Sequence, residues 1–272
     1  MNPEKTIPDG IDKPPLQRYF IRMAEPFKEL CKLTGQAVAK YKMIAAGDRI
    51  LVGLSGGKDS FALLHALHAL RRKAPVEFGL IAATFDPGFP EFNLPGIAGY
   101  CRRMGWEHHM VALPVAEILE EKKFTATPCV LCSRLRRGKL YGLARELGCN
   151  KLALGQHFDD IAASFLMSLC RGQGLTTMGP NVPAKSEPGV RIIRPFALAP
   201  ESLIKSCLTQ WDLPAAGKCR YETELKAGDR AFFRNLVDEL AERIPNLRSQ
   251  MARSLGNLQP EYLLDPAYLK KS

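Results

Sequence analysis

The sequence predicts an α/β fold: a doubly wound, mostly parallel sheet of about five strands, with helical segments at the N- and C-terminal ends of the chain. Three observations carry this reading. Short apolar runs alternate with stretches of helical spacing. A glycine-rich turn, "SGGKDS", stands where the first of these runs gives way to a helix. The polar segments "SGGKDS", "FDPGFP" and "GQHFDD" each follow a candidate strand. A parallel sheet would therefore gather all three beyond the carboxyl ends of its strands, where open α/β sheets bind ligands.

Residues 1–22, "MNPEKTIPDGIDKPPLQRYFIR", have no apolar signal core and read as a flexible, cytoplasmic N-terminal tail. Residues 23–47 hold a helix that begins near Pro26, with Leu30, Leu33, Ala37 and Val38 as its inner face. Residues 48–200 are expected to form the α/β domain, which includes the C-x-x-C segment. Its first strand is read from Ile50, Val52 and Leu54, and Leu63, Leu67 and Leu70 repeat at i, i+4, i+7 as one face of the helix that follows. His65, His68 and Arg72 fall on the other side of that helix, toward solvent. Further strands are expected at 76–86, 108–115, 151–160 and 190–196, and residues 201–272 as short helices and a weakly patterned tail.

Lys and Arg number 38 against 28 Asp and Glu, a net charge of +10 that suits a polyanionic partner but also occurs in proteins that bind only a nucleotide. No apolar run approaches the roughly 18 residues needed to span a bilayer. With no sign of secretion, the eight cysteines do not read as a disulfide framework, and a close pair among them points to metal.

In a strand-to-helix turn the first backbone N–H groups of the helix lack partners and point outward, making an anion site that glycine lets a phosphate approach. The common phosphate loop, G-x-x-x-x-G-K-[ST], fails here at two positions. Val52 stands where its first glycine belongs, and Lys58 is followed by Asp59 instead of a hydroxyl. "SGGKDS" instead resembles the S-G-G-x-D-S signature of the PP-loop ATP pyrophosphatases at Ser55, Gly56, Gly57, Asp59 and Ser60. The resemblance implies AMP transfer: the turn holds the β and γ phosphates as a leaving pyrophosphate, and a substrate oxygen attacks the α phosphate.

"TPCVLCSRLRRGKLYGLARELG" places Cys129 and Cys132 at the start of a helix. Such a pair reads as half of a zinc site, a redox dithiol or part of an iron–sulfur site. A four-cysteine zinc site wants a second C-x-x-C, which the chain lacks, and a thioredoxin-like dithiol wants an early strand directly before it. On the helix that follows, Arg136 continues the apolar stripe of Leu140, Leu143 and Leu147 and so points into the crevice. Arg134, Arg137 and Arg145 share another side, able to meet a phosphate backbone or solvent. In "GQHFDD", Asp159 and Asp160 are suited to magnesium or to capping the next helix.

Over roughly residues 18–225, "SGGKDS", "PGFPEFNLP", "CVLCSRLRRGKLY", "LALGQHFDD" and "IIRPFALAPE" occur in the order and at about the spacing of the TtcA family, the tRNA 2-thiocytidine synthetases, which the chain resembles. The resemblance implies an ATP-dependent tRNA sulfurtransferase that adenylates the C2 oxygen of an anticodon-loop cytidine and replaces it with sulfur. It also implies a 4Fe–4S cluster on three cysteines, two from this pair and one from further along. Cys219, in a loop between Lys218 and Arg220, reads as the third. Cys207 reads as a core thiol beside Leu203, Ile204 and Leu208, and Cys31, Cys101, Cys149 and Cys170 as packing residues.

The site expected from turn and resemblance together has Lys58, Asp59, Asp160 and Arg136 as catalytic residues. Ser55, Gly56, Gly57, Lys58, Asp59, Ser60, Asp86 and His157 would bind ATP, and Asp59, Asp159 and Asp160 Mg2+. Cys129, Cys132 and Cys219 would hold the cluster, and Arg134, Arg137 and Arg145 would meet tRNA. The chain departs from the family's usual second C-x-x-C at Cys219, and from its G-H-H-R-D-D at Gln156 and Phe158. The expected partners are tRNA, ATP and a sulfur donor, either a cysteine desulfurase relay or free sulfide, with no membrane and with a homodimer as one admissible assembly. Two other readings remain open: another PP-loop tRNA-modifying enzyme, of lysidine or thiouridine synthetase type, and a non-enzymatic zinc-containing RNA-binding protein.

Overall fold

The computed structural model describes residues 25–115, 117–118, 128–215, 217 and 228–268; the tail expected over 1–22 and Cys219 lie outside them. The strands are β1 (Arg49–Gly53), β2 (Gly79–Asp86), β3 (His108–Ala112), β4 (Lys151–Ala153), β5 (Asn181–Pro183) and β6 (Arg191–Ile193). They form one sheet in the order β3-β2-β1-β4-β6-β5. All neighbours are parallel except β5 and β6. The expected doubly wound, mostly parallel sheet is thus present, with one antiparallel edge strand beyond the five expected. β5 is three residues long and ends in Pro183, so it carries no period-two signal to read.

Side-chain alternation divides the core between the two faces of the sheet. Val52, Leu80, Ala82 and Ile193 face helices α1 (Glu25–Lys40), α2 (Lys58–Arg71), α3 (Leu94–Arg103) and α6 (Glu201–Cys207). Leu51, Ile81, Ala83, Phe85, Leu152 and Ile192 face α4 (Pro128–Glu146). The central strands are covered on both sides and read as continuous apolar runs. Helix α5 (Phe158–Cys170) follows β4, and α7 (Asp229–Arg243) packs on it through Phe158, Ala162 and Val237; α8 (Leu247–Ser254) joins the same corner.

β4 is much shorter than the expected 151–160. Its ladder with β6 ends as Leu154 N–H bonds the Ile193 carbonyl at 3.0 Å, after which the backbone turns past the end of β1. Helix α2 also differs from expectation. It is buried almost all round between the sheet, α1 and α6, so the apolar face of Leu63 and Leu67 has no solvent face opposite it. His65 is 1% exposed and stacks on Trp211 at 4.2 Å, its Nε2 lying 2.7 Å from Tyr100 Oη. His68 is half-buried and stacks on Trp106 at 4.9 Å. Burial pushes both imidazoles down to about 3. The expectation that these two histidines face solvent is therefore corrected. Cys31, Cys101 and Cys149 pack as expected, whereas Cys170 is exposed. No helix among the described residues is long and apolar enough to cross a membrane.

Candidate active site

β1 and β4 are neighbours from which the chain winds in opposite directions, so the turns after them, 54–57 and 154–157, meet at the switch point of the sheet. Gly56 has φ 81°, the left-handed region that glycine enters without strain. The two serines of the motif brace the turn from within. Ser60 Oγ donates to Gly57 O at 2.8 Å and accepts from Ser55 N–H at 3.2 Å, while Ser55 Oγ accepts from Gly57 N–H at 3.2 Å. Gly155 supports the turn from below: a Cβ there would lie 3.0 Å from Asp59 O and 3.2 Å from Ser60 N.

Lys58 Nζ rests between two carboxylates, 3.1 Å from Asp59 Oδ2 and 3.0 Å from Glu201 Oε1. Burial lowers its pKa, but the charges of Asp59 and Glu201 outweigh this and leave it raised. Glu201, first residue of α6 after Pro200, also meets Arg234 of α7 at 2.6 Å and Lys205 at 3.1 Å. Burial pushes its carboxyl up, yet hydrogen bonds from Lys58 and Lys205 and the charge of Arg234 prevail and hold it at about 2. Asp59 Oδ1 is buried with no hydrogen-bond partner. Asp59, His157 and Glu201 each offer a donor atom within 4.8 Å of the others, a grouping with room for one cation.

The "GQHFDD" segment divides its labour differently from expectation. His157, expected at ATP, is fully buried, with Nδ1 3.4 Å from Asp159 Oδ2 and Nε2 3.5 Å from Asp160 Oδ2. Asp159, expected at magnesium, is engaged elsewhere. Its Oδ1 takes Arg248 Nε at 2.5 Å and its Oδ2 takes Glu201 N–H at 2.8 Å, so it ties α5 to α6 and α8. Burial works against ionisation of Asp159, but the bonds from His157 and Arg248 hold its pKa well below the usual carboxylate range. Asp160 Oδ2 accepts from His157 N–H at 3.3 Å, and Oδ1 lies 3.4 Å from Arg234 Nη1. Asp86 ends β2 and accepts from Gly88 N–H at 2.9 Å.

Beside the turn, a cavity of about 500 Å3 opens between α4 and the strand ends, floored by Gly53, Leu54, Phe85, Leu154 and Ile192. Arg136 lines it, as the continuation of the α4 stripe implied, and so do Arg137, Arg194 and Arg230. Arg137 is exposed as well as lining the cavity. Arg134 is exposed, and Arg145 is exposed and paired with Glu187 at 3.3 Å. Arg194 is fixed by Nε–H to Gln156 Oε1 at 2.9 Å, which gives the Gln156 departure a structural role. Cys129 falls in the first turn of α4 and Cys132 one turn on, half-buried against the apolar cluster under α4. Cys207 is fully buried, its Sγ 3.1 Å from Leu203 O, and burial pushes the thiol up to about 11. It is a core thiol, as expected.

Sequence reasoning missed Glu201, Arg194, Arg230, Arg234 and Arg248. Glu201 and Arg194 lie in "IIRPFALAPE", where an acid directly after Pro200 at a helix start was a usable signal. The other three arginines come from the C-terminal helices and carry no local mark.

A glycine turn at the switch point of a parallel sheet, with a lysine between two acids, defines a PP-loop nucleotide-binding protein, and residues 28–241 match the family model described as a PP-loop domain. Over 241 residues the chain is 41% identical to the tRNA-cytidine(32) 2-sulfurtransferase of Syntrophotalea carbinolica, covering 88% of this chain and 92% of that one. The enzyme of the same name from Geobacter sulfurreducens is 39% identical, with 88% and 93% covered. The chain belongs to the tRNA-cytidine(32) 2-sulfurtransferase family, which decides among the readings left open above. Its fold is also similar to that of the solved U34-tRNA thiolase NcsA from Methanococcus maripaludis with its 4Fe–4S cluster. There the TM-score is 0.65 and the identity 22%, over 86% of this chain and 81% of that chain.

Proposed function

We propose that the protein adenylates O2 of cytidine 32 in tRNA at the expense of ATP and exchanges that oxygen for sulfur. The observation that carries this is the junction of two sites at one sheet end: the phosphate turn with Lys58, and the arginine-lined cavity beneath the helix that starts with the cysteine pair.

ATP seats its β and γ phosphates on the turn at Gly56 and Gly57, and Lys58 neutralises charge that develops as pyrophosphate departs. The cytidine O2 attacks the α phosphorus, the bond to the bridging oxygen breaks, and AMP then stands on C2 as a leaving group. Arg136, with Arg194 and Arg230 beside it, orients the phosphates of nucleotide and tRNA across the cavity. Arg134 and Arg145 extend this basic surface toward the tRNA backbone. An unstacked loop base is suited to such a crevice.

The buried, unpartnered Asp59 Oδ1 fits a divalent cation, and Asp59 with Glu201 would hold Mg2+, which shields the phosphate charge. Cys129, Cys132 and Cys219 would hold the 4Fe–4S cluster, which when bound supplies sulfide to C2. The half-buried position of Cys132 at the head of α4 fits that role, and the core position of Cys207 does not. The sulfur comes to the protein from a cysteine desulfurase relay or as free sulfide.

Anaerobic purification with iron and sulfide quantitation, followed by tRNA-dependent AMP release, tests this reading. It expects about four irons per chain and AMP formed only when tRNA is present. Zinc in place of iron, or ADP as product, would contradict it.

A further inference from the structure

We propose that Arg234 is a second pyrophosphate-binding residue, delivered to the phosphate turn by the C-terminal helix α7. The proposal rests on the adenylation reading above and extends it to a residue from outside the sheet domain.

Three observations support it. First, Lys58 and Arg234 hold opposite oxygens of one carboxylate, Glu201 Oε1 at 3.0 Å and Oε2 at 2.6 Å, so the arginine lies beside the ammonium group that faces the phosphates. Second, α7 has anchors besides Arg234. Phe233 and Val237 of α7 are buried, Val237 against Phe158 and Ala162 of α5, and Arg248 ties Asp238 of α7 to Asp159 of α5. Arg234 also spans Glu201, Asp160 and His157 with a side chain that remains 30% exposed. Third, two cations converge on one carboxylate beside the turn, Lys58 between Asp59 and Glu201 and Arg234 between Glu201 and Asp160, and a pyrophosphate carries more charge than one ammonium group neutralises. Arginine stays charged at any working pH, and the fork that here spans two carboxylates suits two phosphate oxygens equally well.

As the bond between the α phosphorus and the bridging oxygen breaks, the electron pair stays on the pyrophosphate. Arg234 exchanges Glu201 for the oxygens that gain this charge, with no proton transferred. Lys205, 3.1 Å from Glu201, keeps that carboxylate partnered during the exchange.

Isothermal titration calorimetry of the full chain with inorganic pyrophosphate and, separately, with AMP tests the proposal. Arg234→Gln is expected to weaken pyrophosphate binding by about tenfold or more and to leave AMP binding within about twofold, with Arg234→Lys intermediate because it keeps the charge without the fork. Unchanged pyrophosphate affinity in Arg234→Gln would overturn the inference. So would an equal loss of both ligands, which marks a structural role. If Arg234→Gln does not fold, Arg234→Lys carries the same comparison. A wild-type chain that binds neither ligand would overturn the adenylation reading, and the inference with it.

Discussion

Lys58 Nζ and Glu201 Oε1 lie 3.0 Å apart, joining the phosphate turn after the first strand to the helix that follows the last. Glu201 begins α6 directly after Pro200, and its carboxylate, with that of Asp59, keeps the lysine charged within a partly closed site. The lysine is thus set in place before any phosphate arrives, which is what electrostatic stabilisation of a leaving group requires.

Lys58→Ala is therefore expected to lower tRNA-dependent AMP formation by about 100-fold or more. Asp59→Ala should do the same while leaving the thermal midpoint little changed, because its Oδ1 bonds nothing in the protein and its Oδ2 partner Lys58 is also held by Glu201. A chain that turns over normally without Lys58 would show that the charge is supplied elsewhere.

Gly155→Ala tests the support beneath the turn. The added methyl would sit 3.0 Å from the Asp59 carbonyl and 3.2 Å from the Ser60 nitrogen, both backbone atoms that can yield only by moving the turn. Overpacking of this kind costs about 1–3 kcal/mol. The expected result is weaker ATP binding, read by equilibrium dialysis, in a chain that still melts cooperatively; unchanged affinity would mean that the turn adjusts freely.

Among the cysteines, Cys129→Ala, Cys132→Ala and Cys219→Ala are each expected to abolish iron binding. Cys207→Ala should retain it at a small loss in stability, since its thiol sits in the core under Leu203. A brown Cys219→Ala protein with full iron, purified without oxygen, would remove Cys219 from the ligand set.

The histidines of α2 set an acid limit. The folded pKa of His65, about 3, lies below its ordinary 6.5, so as pH falls the unfolded chain takes up the proton first. The stability contributed by the buried neutral ring is complete above about pH 6.5 and is lost progressively toward pH 3. At pH 5 the loss is on the order of 2 kcal/mol for His65. His65→Phe, which preserves the stack on Trp211, should lose less stability than wild type between pH 7 and pH 5 in denaturant titrations. Equal losses would place the acid sensitivity elsewhere.

The parallel core and the phosphate turn were legible because each is written locally. Alternating apolar runs announced β1 and β2, and "SGGKDS" announced the anion site. What escaped depends on long-range packing. One leucine stripe implies one buried face and puts His65 at the surface, and nothing near it in the sequence tells that Trp211 closes the other side. Asp159 looked like its neighbour Asp160 until Arg248, from the far end of the chain, claimed it. β4 reads as longer than it is when the polar run after Leu154 is counted as the end of the strand, although Gly155 already marks a close backbone approach. Arg234 and Arg230 look like ordinary charges of an amphipathic helix.

Nucleoside mass spectrometry of tRNA from cells with and without the gene is the most direct measurement of the central claim, that the chain converts a tRNA cytidine to 2-thiocytidine. The account predicts that 2-thiocytidine at position 32 disappears on deletion and returns with the wild-type gene but not with Lys58→Ala. Persistence of the modification in a deletion strain without a second copy would contradict it.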